Sequence, residues 1–179
     1  MAELLLELLS EEIPARMQDR ARELLSEAFR ARMDISLNDT ELVTFATPRR
    51  ITLLGKNIPV ELPGYEIARR GPRVDAPANA REGFLRSLAS DAIVEERPDP
   101  KGKPGVTFLF EVHKRKPRHM GEYFAEVLPD MLRFPLWPKS MRWGAGELRW
   151  VRPLQSILCL FDGAVVPFAL EGIAAGPMT

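Results

Sequence analysis

Cysteine is nearly absent from this chain. Cys159 is the only one among 179 residues, so neither an internal disulfide nor a cysteine zinc site can be built. Its setting in the apolar run Ile157–Phe161 reads as a buried, inert thiol. Histidine is nearly as scarce. His113 and His119 are too far apart for a metal pair on one helix face, and Lys114, Arg115, Lys116 and Arg118 between them repel a divalent cation. No phosphate loop and no Gly-x-Ser-x-Gly elbow occurs. Net charge is also missing, with 25 basic residues against 25 acidic. That balance argues against a free-standing basic nucleic-acid binder and leaves room for local patches. No apolar run approaches the length of about 18 residues that a membrane helix needs. Glu3, Glu7, Glu11 and Glu12, with no early Lys or Arg, do not make a secretory signal. The expectation is a cytoplasmic chain with no membrane partner.

What is present suits a globular core, since 45% of the residues are hydrophobic. Ala2–Leu9 reads as a first strand, and Ser10-Glu-Glu-Ile-Pro14 as a helix start with acids at the positive end of the dipole. Met17, Ala21, Leu24, Leu25 and Ala28 predict one apolar face of a helix from Pro14 to about Met33. Strands are expected at Leu42–Ala46 and Arg50–Leu54, bent around Pro48. The stretch 59–80 is rich in Pro, Gly and charge and predicts a loop or linker, with a sub-boundary inside it. A short helix is expected at Arg81–Ala89, turns at Arg97–Gly105 and a strand at Val106–Val112. Arg118–Arg133 predicts the second long helix, with Pro129 kinking or shortening it. Asp162-Gly163 between two apolar runs signals a hairpin joining Leu154–Phe161 to Ala164–Leu170. These elements predict an α+β fold of mixed or antiparallel strands interleaved with two main helices.

Positive charge clusters beside aromatic residues or glycine. Arg49-Arg50 follows Pro48, and Arg69, Arg70 and Arg73 surround Gly71-Pro72. Lys114–Arg118 follows His113. Lys139, Arg142 and Trp143 precede Arg149, Trp150 and Arg152. Arginine forks grip phosphates and stack on bases, and tryptophan offers a stacking face. Arg49, Arg50, Arg69, Arg70, Arg73, Lys139, Arg142, Trp143 and Arg152 are therefore the candidate RNA contacts. The competing reading has each arginine satisfied by a carboxylate of its own fold, or a structural hairpin clamped by a cation–π contact. No group of residues suggests catalysis. Ser10-Glu11-Glu12 supplies paired carboxylates, but a helix start explains them.

Four segments in order resemble the β subunit of the two-subunit bacterial glycyl-tRNA synthetase. They are Leu4–Pro14, Phe45–Leu53 with its Thr-Pro-Arg-Arg core, Arg70-Gly71-Pro72 followed by Ala80–Phe84, and Pro138–Gly144 with Trp150–Pro153. The resemblance covers essentially the whole chain. It departs from the family pattern at Leu9-Ser10, at Trp137-Pro138 and in the shorter loop before Ala80. It implies a piece, residues 1–179, from the N-terminal region of a longer β subunit. In such a family the α subunit carries the class II centre that uses ATP and magnesium to join glycine to tRNA(Gly). The β subunit contributes tRNA binding. The resemblance thus implies no catalytic, cofactor-binding or metal-binding residue here. Its expected partners are the glycyl-tRNA synthetase α subunit, tRNA(Gly) and the remainder of β. An independent RNA-binding module and a purely structural interaction domain stay open as alternatives.

Overall fold

The computed structural model describes residues 1–34, 37–90, 92–99, 105–133, 137, 139–143 and 146–179. The chain forms two compact units, one built from Met1–Leu62 and Arg118–Thr179, the other from Pro63–Pro117.

The first unit starts with β1 (Ala2–Ser10), where leucine occupies both faces of the strand. Leu4, Leu6 and Leu8 are fully buried, while Leu5, Glu7 and Leu9 on the other face are half-buried. The helix α1 (Ala15–Arg32) begins after Pro14 and ends where the Met33 N–H donates to the Phe29 carbonyl at 2.9 Å. Ala21, Leu25, Ala28 and Phe29 are its buried stripe, at the spacing of one helical face. Arg30 and Arg32 in its last turn suit the negative end of the dipole.

The expected acidic helix start is corrected. The first turn of α1 carries no acid, because Ser10 still belongs to β1 and Glu11 and Glu12 precede the helix. β2 (Glu41–Ala46) and β3 (Arg50–Ile58) form a hairpin around Pro48. β3 pairs with β1, and β1 with β9 (Leu154–Phe161), both antiparallel.

The two-residue strands β4 (Glu61–Leu62) and β8 (Arg118–His119) pair at the points where the chain leaves this unit and returns. α3 (Met120–Arg133) follows and runs through Pro129 without breaking. Its stripe of Met120, Phe124, Leu128 and Met131 joins the same core as α1 and the even-numbered residues of β1. Phe124 lies between Phe29 at 6.3 Å and Phe161 at 5.3 Å, ring centre to ring centre.

Asp162 (φ 50) and Gly163 (φ 78) make the expected tight turn, in the left-handed conformation such hairpins need at both central positions. The return strand is broken rather than continuous. It comprises β10 (Ala164–Val165) and, after Pro167, β11 (Ala169–Leu170). Glu171 and Gly172, both at positive φ, then turn the chain into β12 (Ile173–Gly176), which runs parallel to β9. The sheet order among described residues is β11-β12-β9-β1-β3-β2, with β10 on β9.

The second unit is a three-stranded antiparallel sheet, β5 (Tyr65–Arg73), β7 (Thr107–Arg115) and β6 (Ile93–Pro98), in the order β5-β7-β6. The short helix α2 (Ala78–Arg86) belongs to it. The stretch 59–80 is therefore not a linker, since it supplies β4, β5 and the start of α2. Its Gly71-Pro72 pair, which suggested a loop, sits at a register shift between Arg70 and Arg73 on an edge strand, where a missing N–H costs no ladder bond. The turns expected over Arg97–Gly105 begin later than read, because Arg97 and Pro98 close β6. Residues 100–104 lie outside the described part. The architecture is α+β with mixed sheets, and no described helix is long and apolar enough to cross a membrane.

Candidate nucleic-acid interface

β1, β3 and β9 bring one end of each strand to the same end of the large sheet. The backbone knits that end together. The Ser10 N–H donates to the Arg49 carbonyl at 2.8 Å, Glu11 N–H to Pro153 at 3.0 Å, and Ile13 N–H to Pro48 at 2.5 Å. Three stretches far apart in sequence, Ser10–Pro14, Thr47–Arg50 and Trp150–Pro153, thus form one surface.

Side chains continue the connection. Gln155 donates to Glu11 and accepts from Arg49 Nη2 at 3.1 Å, and Arg49 Nε reaches the Ser10 carbonyl at 3.4 Å. A recess of ≈ 370 Å³ opens here, lined by Glu11, Glu12, Pro14 and Arg152. Gln155 is not singled out from sequence, and Glu11 is read there only as part of a helix start. Gln155, next to Ser156 near the start of the otherwise apolar β9, is the sequence signal that could have found this contact.

The tryptophan-rich segment attaches to this end. Met141 and Trp150 form an isolated antiparallel bridge, with N–H to carbonyl distances of 2.8 and 3.1 Å. Arg152 Nη1 lies 4.0 Å from Met141 Sδ. Trp150 is fully buried, edge-to-face with Trp137 at 5.4 Å, and Trp143 packs half-buried against the core. The indoles are mainly core material, which is why so much tryptophan can sit among arginines. Lys139, Arg142 and Arg152 stay exposed, and no described carboxylate forms an ion pair with them.

The other candidates are engaged within their own unit. Arg50 Nε pairs with Glu7 Oε1 at 3.1 Å. In the second unit Arg69 pairs with the buried Glu111 and lies over the Phe84 ring. Arg70 sits 3.9 Å from Asp99 and 4.5 Å over Phe108, and Arg73 pairs with Asp75 at 2.6 Å. Glu111 also accepts from the Ala89 N–H, and that bond, together with Arg69 and His113, holds its carboxyl below the usual range. Arg97 bridges Glu95 at 2.6 Å and Glu66 at 2.7 Å, while Lys114 contacts both acids. Arg69, Arg70, Arg73, Arg97 and Lys114 are therefore each matched by an acid of their own unit. Among the described residues no group of three metal-ligating side chains comes together.

The family model for the glycyl-tRNA synthetase beta subunit matches residues 4–179. The chain belongs to that family. Similar curated proteins include the glycine–tRNA ligase beta subunits of Cereibacter sphaeroides, 49% identical over 186 residues, and Paracoccus denitrificans, 45% identical over 185 residues. That of Phenylobacterium zucineum is 45% identical over 182 residues. Each comparison takes in 100% of this chain but only 26% of the relative, so the chain spans about a quarter of their length. The four segments that carry the resemblance all fall inside the matched region. Ser10–Pro14, Thr47–Arg50 and Trp150–Pro153, parts of three of them, meet at one end of the large sheet, and the Arg70-Gly71-Pro72 segment lies in the second unit.

Proposed function

We propose that this chain is the non-catalytic N-terminal part of a glycine–tRNA ligase β subunit, supporting assembly with the α subunit and placement of tRNA(Gly) during ATP-dependent glycylation in the cytoplasm. ATP and magnesium are used by the α subunit in a heterotetramer, and residues 1–179 hold neither. The observation that supports the tRNA half of the reading is that the exposed Arg152 shares with Arg49 the end of the sheet where three separate segments meet, and that Met141, next to the exposed Arg142, is bridged to Trp150 there. Guanidinium groups with no ion pair among the described residues, on a hydrogen-bonded platform, suit phosphate contact. The zero net charge fits a contributor to a larger interface better than an independent RNA-binding module.

A second reading applies to the inserted unit. Its arginines Arg69, Arg70 and Arg73 each have a carboxylate partner, which favours a structural role there. The test is glycine charging of tRNA(Gly) by the matching α subunit, alone, with the full β subunit, and with β lacking residues 1–179. Full activity with the intact subunit and loss with the deletion is expected. Undiminished charging by the deleted subunit would remove this region from both assembly and tRNA placement.

A further inference from the structure

Among the described residues, α1 and α3 pack on one face of the large sheet. On β1, β3 and β9 the residues facing α1 and α3 are fully buried, whereas Leu5, Leu9, Leu54, Leu158 and Leu160 on the opposite face are half-buried and lie outside the core. The pairings Leu5 with Leu54 and Leu160, and Glu7 with Thr52 and Leu158, put these side chains on one surface. On the edge strand Phe45, paired with Thr52, continues it and is 53% exposed. Antiparallel sheets that face water usually carry polar residues there. Leucine in these positions marks a surface built to be covered.

The polar centre of this face is already satisfied. Glu7 accepts from Arg50 Nε, from Thr52 Oγ1 at 3.2 Å and from the hydroxyl of Thr179. Thr179 therefore lies on the open face itself, against the middle of β1. The relatives extend well beyond the matched quarter.

We propose that the leucine face is covered in cis by polypeptide of the β subunit that follows Thr179, laid across β1, β3 and β9 from the Glu7 contact outwards. The occupant is a stretch with apolar side chains at its centre, since Leu5, Leu54 and Leu160 offer no hydrogen bond beyond Glu7. This inference rests on the reading that a longer β subunit continues from this chain, and not on the tRNA contact. Loss of charging on deletion leaves it untested and unharmed, and the experiment below leaves the tRNA reading in place whatever its result.

The experiment installs a photoreactive benzophenone side chain at Phe45, and separately at Leu54, in the full β subunit assembled with α. Crosslinked peptides are identified by mass spectrometry, and the gel mobility of the products separates intrachain from interchain links. The Leu54 site keeps the test valid if the Phe45 variant folds poorly. Intrachain links from both positions to sequence beyond residue 179 are expected. Links to the α subunit, to a second β chain or to residues 63–117, or no crosslink from either position, would overturn the proposal.

Discussion

The indole N–H of Trp150 donates to Ser10 Oγ across 3.2 Å, with both side chains closed off from solvent and 140 positions apart in the chain. This bond ties the tryptophan segment to the end of β1. Trp150→Phe keeps most of the apolar volume and removes the donor, leaving the Ser10 hydroxyl to find another partner. A loss of about 1–3 kcal/mol is expected. Ser10→Ala orphans the indole and costs a similar amount, while the double variant loses less than the sum of the two. Urea unfolding of the four proteins checks the coupling.

Gly71 packs under the ring of Phe84, and a Cβ placed on it would lie 2.6 Å from that ring. Gly71→Ala must displace Phe84 from the sheet, at an expected cost of about 1–3 kcal/mol confined to residues 63–117. Gly83, inside α2, has open space around its Cβ position. Gly83→Ala is expected to stabilise the same unit by about 0.5–1 kcal/mol. Hydrogen exchange resolved along the chain separates the two effects.

Acid weakens the inserted unit first. The Glu111 carboxyl is held low by the Ala89 N–H and then by Arg69 and His113, Glu95 by Lys114 and Arg97, and Glu66 by Arg97 and Lys114. Each folded value lies below the ordinary 4.5. The stabilisation is thus complete above that value and is lost as the pH falls through the lowered folded values. Protease sensitivity within residues 63–117 is expected to rise below about pH 4. Glu111→Gln removes part of that dependence and weakens the unit at neutral pH.

The thiol of Cys159 is pushed up from 9.0 to about 12 by burial. Its protonated form is the one the core accepts. The contribution is full below the free-thiol value and declines as the pH rises from 9.0 toward about 12. Alkylation by iodoacetamide at pH 8 is expected only as fast as the chain unfolds, so urea accelerates it in parallel with the unfolding curve.

The strands and helices with regular apolar spacing were legible in the sequence. β1, α1 and α3 announce themselves through Leu4-Leu6-Leu8, through Ala21-Leu25-Ala28 and through Met120-Phe124-Leu128. The Asp162-Gly163 turn is visible because only a few residue types accept positive φ twice in succession. The companion turn at Glu171-Gly172 is not, since glutamate there is held by a bond from the Glu147 N–H to its carboxylate, a partner 24 positions away.

β5 is hidden in the sequence for a similar reason. Tyr65–Arg73 is exposed along most of its length and carries charge where a buried strand would carry aliphatics. Its stability comes from cross-strand ion pairs and ring contacts with β7, which local composition does not display. The same applies to the candidate site. The sequence marks the basic clusters, but only the fold separates Arg69, Arg70 and Arg73, whose partners are Glu111, Asp99 and Asp75, from Arg142 and Arg152.

The measurement closest to the central claim is steady-state glycylation by the α/β enzyme carrying Arg142→Ala and Arg152→Ala together. Loss of phosphate contacts predicts a KM for tRNA raised about tenfold or more, with the KM values for glycine and ATP unchanged and a weaker salt dependence. An unchanged KM for tRNA in a correctly assembled enzyme would contradict the account and leave this end of the sheet with a structural role alone.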